Sequence, residues 1–150
     1  MLLRRLRGDH MSELFFTKTV TVYNQEAAQD VLDAAVWHKT VLQGVRVLNK
    51  HGSHLTTGGL EVSDAVQMHV MTDNLAKPYL EPAEWTASAD KGASWTLQPG
   101  KDFFVEGDTS AEDETVSDFY EVMRAKYSRC YKVTQVDTYD LIPHIEVTGQ

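Results

Sequence analysis

Short runs of β-branched and aromatic residues, separated by turn residues, dominate this sequence. In the first run, residues 15–24, Val20 and Val22 alternate with polar and aromatic neighbours, which is the two-residue period of a half-buried β-strand. Runs of the same character follow at 36–42, 45–48, 65–71, 103–106, 131–136 and 141–149. Their spacing lacks the regular alternation of strands and long helices that a doubly wound α/β fold requires. It predicts a mainly β (α+β) fold, a small β-barrel or sandwich of about seven short strands.

One segment has the pattern of a good amphipathic helix. Residues 114–126 place apolar side chains at positions i, i+3, i+4 and i+7, with acidic residues at the start and basic residues in the last turn. The apolar stripe consists of Val116, Phe119, Tyr120 and Met123. Two weaker helices are predicted, one opened by Pro82 over residues 82–90 and one over residues 25–35, which are rich in Ala, Gln and Glu.

Two glycine-containing segments interrupt this pattern. Gln43 and Gly44 separate two strand-like runs, which indicates either a hairpin turn or a bulge within one strand. Residues 51–59 contain three glycines and no hydrophobic period, which predicts a loop.

The length and the charge limit the classes of protein to consider. A chain of 150 residues is long enough for one domain and too short for two separate cores. Residues 1–11 are interpreted as a disordered tail or a start codon assigned too early, which leaves 12–150 as a single β-rich domain. The net charge is -8, and it is -10 when counted from Met11 onward. Such an acidic chain is poorly suited to bind nucleic-acid phosphates, and its apolar runs are far too short to cross a membrane, so no membrane partner is predicted.

Histidine and cysteine are the first candidates for metal binding or catalysis. His51 and His54 have a spacing that supplies two zinc ligands, but they lie in a Gly-rich segment, without the helix and the glutamate of a metalloprotease motif. Cys130 is the single cysteine and belongs to no nucleophile motif, so it is interpreted as a core or edge-strand thiol. The acidic residues between 106 and 118 are interpreted as solvated capping charges. The sequence predicts a protein that is not an enzyme, with no cofactor and no metal.

Three tryptophans are the remaining candidates for recognition. Tryptophan side chains stack on bases or sugars in some proteins, but in a small β domain they more often fill the core or anchor an interface. We therefore take Trp37, Trp85 and Trp95 as candidate interface residues.

The order of several segments resembles a known group of proteins. The segments are 18–24, 37–45, 79–85, 94–107 and 144–149. Together they resemble a family of small proteins encoded in the structural-gene clusters of tailed phages and prophages, and more distantly the head–tail connector proteins of the head-closure or stopper type. The shared features are an opening strand of the type Thr-x-Thr-x-Tyr, a second strand with a tryptophan, and a late Gly-Asp-x-x-Val-x-Gly segment. In this chain Lys101 separates Gly100 from Asp102.

The resemblance implies a non-enzymatic subunit of the phage neck, assembled as a homo-oligomeric ring in the virion within the bacterial host cytoplasm. It implies a portal or adaptor and tail proteins as partners, and DNA that passes nearby without specific binding. The Gly-rich segment is then the candidate channel loop, with residues His51, Gly52, Ser53, His54, Gly58 and Gly59. Two alternatives remain: another virion protein, such as a tail-completion or minor capsid protein, and a small metal-dependent hydrolase that uses His51 and His54.

Overall fold

Six antiparallel strands close into a β-barrel in the computed structural model, which describes residues 15–27, 35–56, 59–73 and 75–150. The strands are β1 (Lys18–Glu26), β2 (Val36–Thr56), β3 (Gly59–Met71), β4 (Phe103–Glu106), β5 (Cys130–Tyr139) and β6 (His144–Gly149), and the helices are α1 (Pro82–Ala87) and α2 (Phe119–Lys126). The order around the barrel is β1-β2-β3-β6-β5-β4, and β4 pairs with β1 to close it. The prediction of a small β-barrel with a helix is therefore confirmed. The predictions for residues 1–11 and for a helix over most of 25–35 lie outside the described residues, although Gln25 and Glu26 belong to β1.

A bulge at Gly44 replaces the hairpin turn that was one of the two predictions for this position. Lys18 pairs with Val45 and Val20 pairs with Leu42, so two steps along β1 oppose three steps along β2. Gly44 has a φ of +70°, which is the left-handed conformation of the glycine in a common type of bulge. Runs 36–42 and 45–48 thus form one continuous strand, and the expected seven strands become six.

Apolar side chains are buried inside the barrel and also on part of its outer face. Side chains such as Val22, Met68 and Val147 fill the interior, as expected for the inward positions of alternating strands. A second apolar cluster lies on the outer face, where Tyr23 and Phe103 pack against Phe119 of α2. The prediction that the first strand is half-buried is therefore wrong, because α2 and the segment before it cover the outer face of β1.

Helix α2 is shorter than predicted. It begins at Phe119 rather than at residue 114, and Asp118 before it has a φ of 53°, in the left-handed region. A non-glycine residue in that region interrupts the helical path, so residues 114–118 form turns. Phe119 and Met123 are buried as expected, but Val116 is exposed. Helix α1 begins at Pro82 as predicted.

Two segments differ in kind from their predictions. Residues 51–56 and 59, predicted as a loop, belong to strands β2 and β3, which pair from Arg46 with His69 to Thr56 with Gly59. Leu141 and Ile142, predicted to begin the last strand, lie in the turn between β5 and β6, and the strand begins at His144. The first difference arises because cross-strand pairing, rather than local residue preference, decides the backbone of a Gly-containing strand.

A buried polar network around Asp102 attaches the irregular segment before β4 to β1. The carboxylate of Asp102 accepts hydrogen bonds from the backbone N–H groups of Gln25 at 2.8 Å and Gln98 at 2.7 Å. It also accepts from Asn24 Nδ2 at 2.8 Å. Asn24 in turn donates to the carbonyl oxygen of Thr96 and accepts from its N–H. Together with the isolated bridge between Tyr79 and Trp95, these bonds place Trp95 and Leu97 in the barrel core.

Candidate functional site

The β2–β3 hairpin extends beyond the barrel as a two-stranded ribbon. Strand β6 pairs with β3 only as far as Val66, which lies opposite Gly149. Beyond that rung, residues 50–56 and 59–65 pair with each other, and among the described strands no other strand pairs with them. We call these two segments the ribbon. At about 3.3 Å per residue, its seven-residue arms reach roughly 20 Å past the barrel wall.

The ribbon contains most of the residues that were predicted to form a channel loop. His51, Gly52, Ser53 and His54 belong to β2, and Gly59 begins β3, whereas Gly58 lies outside the described residues. The structure therefore places these residues on a hairpin arm with a defined register, for example His51 opposite Asp64. A channel role for them stays a prediction.

The side chains of the candidate pair His51 and His54 lie outside the described part of the structure. Among the side chains that it does describe, no group of three or more His, Cys, Asp or Glu residues is placed to hold an ion. His69 and His144 lie on neighbouring strands with ring centroids 6.4 Å apart. His144 also lies 3.3 Å from the carboxylate of Glu146, through Nε2.

The tryptophans occupy different environments. Trp85 and Trp95 are buried inside the chain, and Trp95 belongs to the barrel core, where its Nε1 donates to the carbonyl oxygen of Lys77 at 3.0 Å. Their assignment as interface residues is therefore corrected, because neither side chain is accessible to a partner while the barrel is intact. Trp37 is half-buried and packs against Phe103 with ring centroids 5.0 Å apart.

The accessible side of Trp37 faces a cleft of about 260 Å³. The other charged and aromatic residues that line this cleft are Lys101, Lys132, Asp118, Glu121, Phe119 and Tyr120. The cleft thus combines both signs of charge with aromatic side chains. An interface role for Trp37 stays a prediction.

The acidic stretch 106–118 is attached to the barrel by hydrogen bonds. Lys39 Nζ donates to the carbonyl oxygen of Ser110 at 2.7 Å and to the carboxylate of Glu114 at 2.9 Å. The hydroxyl of Tyr23 donates to the carbonyl oxygen of Thr109 at 3.0 Å. The bond from Lys39 lowers the pKa of Glu114. This part of the stretch therefore covers the outer apolar cluster.

Other acids in the stretch connect it to α2 or cap its own turns. Glu112 accepts from Tyr127 at 2.6 Å and from Lys126, and these bonds lower the pKa of Glu112. Asp108 and Asp113 accept from backbone N–H groups two residues ahead, as in Asx turns. The interpretation as capping charges thus describes Asp108 and Asp113, whereas Glu112 and Glu114 form tertiary contacts.

Cys130 is buried in the outer apolar cluster. Its burial raises the pKa of the thiol to about 11. A thiol in this environment stays protonated near neutral pH and is a poor nucleophile. The interpretation of Cys130 as a core thiol is confirmed.

An exposed apolar turn lies where the sequence pattern predicted the start of the last strand. Leu141 is 98% exposed and Ile142 is 63% exposed, in the turn between β5 and β6. We call residues 139–144 the tip. The signal in the sequence was Pro143, since a proline removes one N–H from strand pairing and indicates that the strand begins after it.

The fold and these surfaces can be compared with known proteins. The chain belongs to DUF6751, a family of unknown function, whose profile matches residues 15–150. No curated protein and no solved structure matches the chain. Within the part of the chain that the structure describes, no helix has the length and apolar character needed to cross a membrane.

Proposed function

We propose that this member of the DUF6751 family is a non-enzymatic structural subunit of a phage head–tail connector, of the head-closure type. In this proposal its barrels form a ring in the virion, beneath the portal or adaptor and above the tail. The ribbon of each subunit then points into the channel and narrows it. The observation that carries the proposal is the ribbon, because it extends about 20 Å beyond the barrel without another described strand to pair with it.

The length and pairing of the ribbon support a plug rather than a binding loop. Its register is continuous from Lys50 with Ala65 to Thr56 with Gly59. Paired strands bend less than an unpaired loop, so the ribbon keeps its direction away from the barrel. An isolated two-stranded hairpin is marginally stable in water, and contact with equivalent hairpins around a ring axis would stabilise it. Several such ribbons meeting at the axis close a channel, and their separation opens it.

The charge of the ribbon supports passage of DNA without binding. The ribbon contains Glu61 and Asp64, and its one Lys or Arg is Lys50, at the rung next to the barrel. A protein that binds DNA neutralises phosphates with basic side chains, and each such contact would slow DNA that moves through the channel. The acidic ribbon, in a chain of net charge -8, therefore suits a conduit.

Shortening the ribbon tests the proposal. Lys50 and Ala65 are paired, so residues 51–64 can be replaced by Asn-Gly, a two-residue turn that suits a hairpin. We expect the shortened protein to fold and to enter phage particles, because the parts of β2 and β3 that form the barrel wall are kept, while the heads lose their DNA. The measurement is the DNA content and infectivity of particles from a phage in which this variant replaces the wild-type gene. Particles that contain the variant, retain their DNA and infect normally would contradict the plug.

A histidine variant distinguishes the structural proposal from the hydrolase alternative. Replacing His51 and His54 with alanine removes both candidate metal ligands but keeps the length of the ribbon. The connector proposal expects particles with normal DNA retention. Loss of a metal-dependent hydrolytic activity in the purified variant, relative to the wild type, would favour the enzyme.

A further inference from the structure

The tip presents apolar side chains to solvent in a fixed shape. Tyr139 and His144 stack with ring centroids 4.6 Å apart and an interplanar angle of 5°. His144 Nδ1 lies 2.6 Å from the carbonyl oxygen of Ile142, and the N–H of Thr72 donates to the carbonyl oxygen of Pro143 at 3.2 Å. Leu141 and Ile142 are therefore exposed on a braced turn. Ordering such a turn in advance reduces the entropy lost when it binds a partner.

The tip also has one sign of charge. Between residues 133 and 150 the chain contains Asp137, Asp140 and Glu146, and no Lys or Arg. Asp140 is exposed and directly precedes Leu141. A partner of complementary chemistry therefore combines an apolar recess with basic side chains.

A groove of this description lies elsewhere on the same molecule. It has a volume of about 470 Å³ and lies between α2 and the start of β5, where Tyr120, Arg124, Lys132, Val133 and Thr134 line it. The Lys132 ammonium lies 4.2 Å from the centroid of the Tyr120 ring. Arg124 Nη1 donates to the carbonyl oxygen of Cys130 at 2.9 Å, which fixes the guanidinium at the groove. None of the residues that line it is acidic.

The tip and the groove lie at opposite ends of the β5–β6 hairpin. Val133 lies opposite Gly149 at the groove end, and Tyr139 lies opposite His144 at the tip end. Six residues of strand separate the two levels by about 20 Å. A protomer with complementary surfaces at opposite ends joins its neighbours head to tail, and such contacts give a ring when the rotation between protomers closes.

We propose that the tip of one protomer docks into this groove on a second copy of the chain, with Leu141 and Ile142 in the recess and Asp140 next to Lys132 and Arg124. This inference deepens the proposed function, since it assigns the contact that would build the ring. The same contact would join copies of the chain even if the protein is not part of a phage connector.

Disulfide trapping with two single variants tests the contact directly. One protein carries Leu141→Cys and the other carries Thr134→Cys; both positions are exposed, and Cys130 is buried and does not compete. Mixed and oxidised, the two proteins should give a covalent dimer, whereas each alone should stay monomeric. A chain with both substitutions should give a ladder of higher oligomers. Leu141→Cys mixed with Ala83→Cys, an exposed position on α1, is the matched control.

The outcomes separate the possible contacts. Dimers from Leu141→Cys alone would show a tip-to-tip contact and overturn the proposal. A second mixture contains Leu141→Cys and Gln43→Cys, a substitution in a different cleft that Leu75 also lines. Covalent dimers from this mixture would also overturn the proposal. Absence of any disulfide in the mixture up to the solubility limit would overturn it as well. A charge exchange gives a second readout: Asp140→Lys should reduce trapping several-fold, and adding Lys132→Glu should restore it.

Failure of this inference and failure of the proposed function are distinguishable. Trapped oligomers together with an unaffected phage would leave the head-to-tail contact standing and remove the connector assignment. Particles that lose DNA when the ribbon is shortened, without trapping between positions 141 and 134, would leave the connector and place the ring contact elsewhere.

Discussion

Asp102 is the residue on which the irregular part of the fold depends most. Its carboxylate is fully buried and accepts from Asn24, Gln25 and Gln98, which belong to two distant parts of the chain. Burial raises the pKa of Asp102 to about 6, although these hydrogen bonds oppose the shift. One side chain thus connects β1 to the segment that supplies Trp95 to the core.

The raised pKa of Asp102 predicts a specific pH dependence of stability. The folded state binds the proton more tightly than the unfolded state, whose pKa is near 3.8. The stabilising contribution of Asp102 is therefore complete below about pH 4. As the pH rises through about 6, the free energy of unfolding falls by up to about 3 kcal/mol. Asp102→Asn should remove this slope, which denaturant unfolding between pH 4 and pH 7 measures.

Below about pH 4 the same substitution should also lower stability, whereas near pH 7 this cost is offset because the variant has no buried charge at position 102. A carboxamide has one acceptor oxygen where the carboxylate has two, so at least one buried N–H group of Gln25 or Gln98 loses its partner. We expect a cost of about 1–3 kcal/mol. Asp73→Asn, at an exposed position, is the control and should change neither quantity. A wild-type pH profile retained by Asp102→Asn would contradict the assignment.

At the scale of elements, the bulge at Gly44 sets the path of the longest strand. β2 pairs with β1 from Val36 to Val45 and with β3 from Arg46 to Thr56, so the change of neighbour follows directly after the bulge. Bulges increase local twist and bend the strand, which closure of a small barrel requires. The bulge therefore connects the barrel wall to the ribbon.

Substitution at Gly44 tests how far the bulge depends on glycine. Among the described residues, a Cβ at this position meets only the carbonyl oxygen of Phe16, at 3.6 Å, so none of them forbids a side chain there. The cost of Gly44→Ala should be conformational, about 1–2 kcal/mol for an L-residue at positive φ. Gly44→Asn should cost less, because asparagine tolerates this region. Thermal unfolding of the two variants checks the order, and equal stability of Gly44→Ala and wild type would show that the bulge moves or disappears.

At the scale of the whole molecule, closure of the barrel joins residues that lie far apart in the chain. β4 has four residues, yet it pairs with β1 on one side and β5 on the other. Cys130 begins β5 and packs in the outer cluster. Its thiol becomes accessible only when β5, β4 and α2 separate.

Cys130 therefore reports global opening of the barrel. We expect a thiol reagent to modify it only through unfolding, so the free energy from the labelling rate should equal that from denaturant unfolding. Mass spectrometry of labelled protein over a range of denaturant concentrations gives the comparison. A Thr134→Cys variant supplies an exposed thiol as the reference for fast labelling. Labelling of Cys130 at the rate of the exposed thiol would show that the outer cluster opens locally.

The sequence by itself determined the class of fold and the position of most elements. Alternation in residues 15–24 and 65–71, the Pro82 helix start and the Phe103–Glu106 strand all follow from local periodicity and turn chemistry, and the structure agrees with them. The burial of Cys130 followed from its lack of any reactive motif. These features are local, so the residues next to them in the chain carry the information.

Only the tertiary structure decided how many strands form and which surfaces remain accessible. The ribbon exists because residues on both sides of Thr57 and Gly58 pair across the hairpin. The glycines of that segment predict a loop, so the sequence pattern does not indicate this pairing. Trp85 and Trp95 are buried, and Leu141 and Ile142 are exposed, because burial depends on barrel closure and on the segment that Asp102 holds. Pairing and burial depend on contacts between residues that are far apart in the chain. Asn24 and Thr96, and Tyr23 and Thr109, are 70 to 90 positions apart. Local periodicity does not encode contacts at that separation, which is why the tip and the groove were found in the structure and not in the sequence.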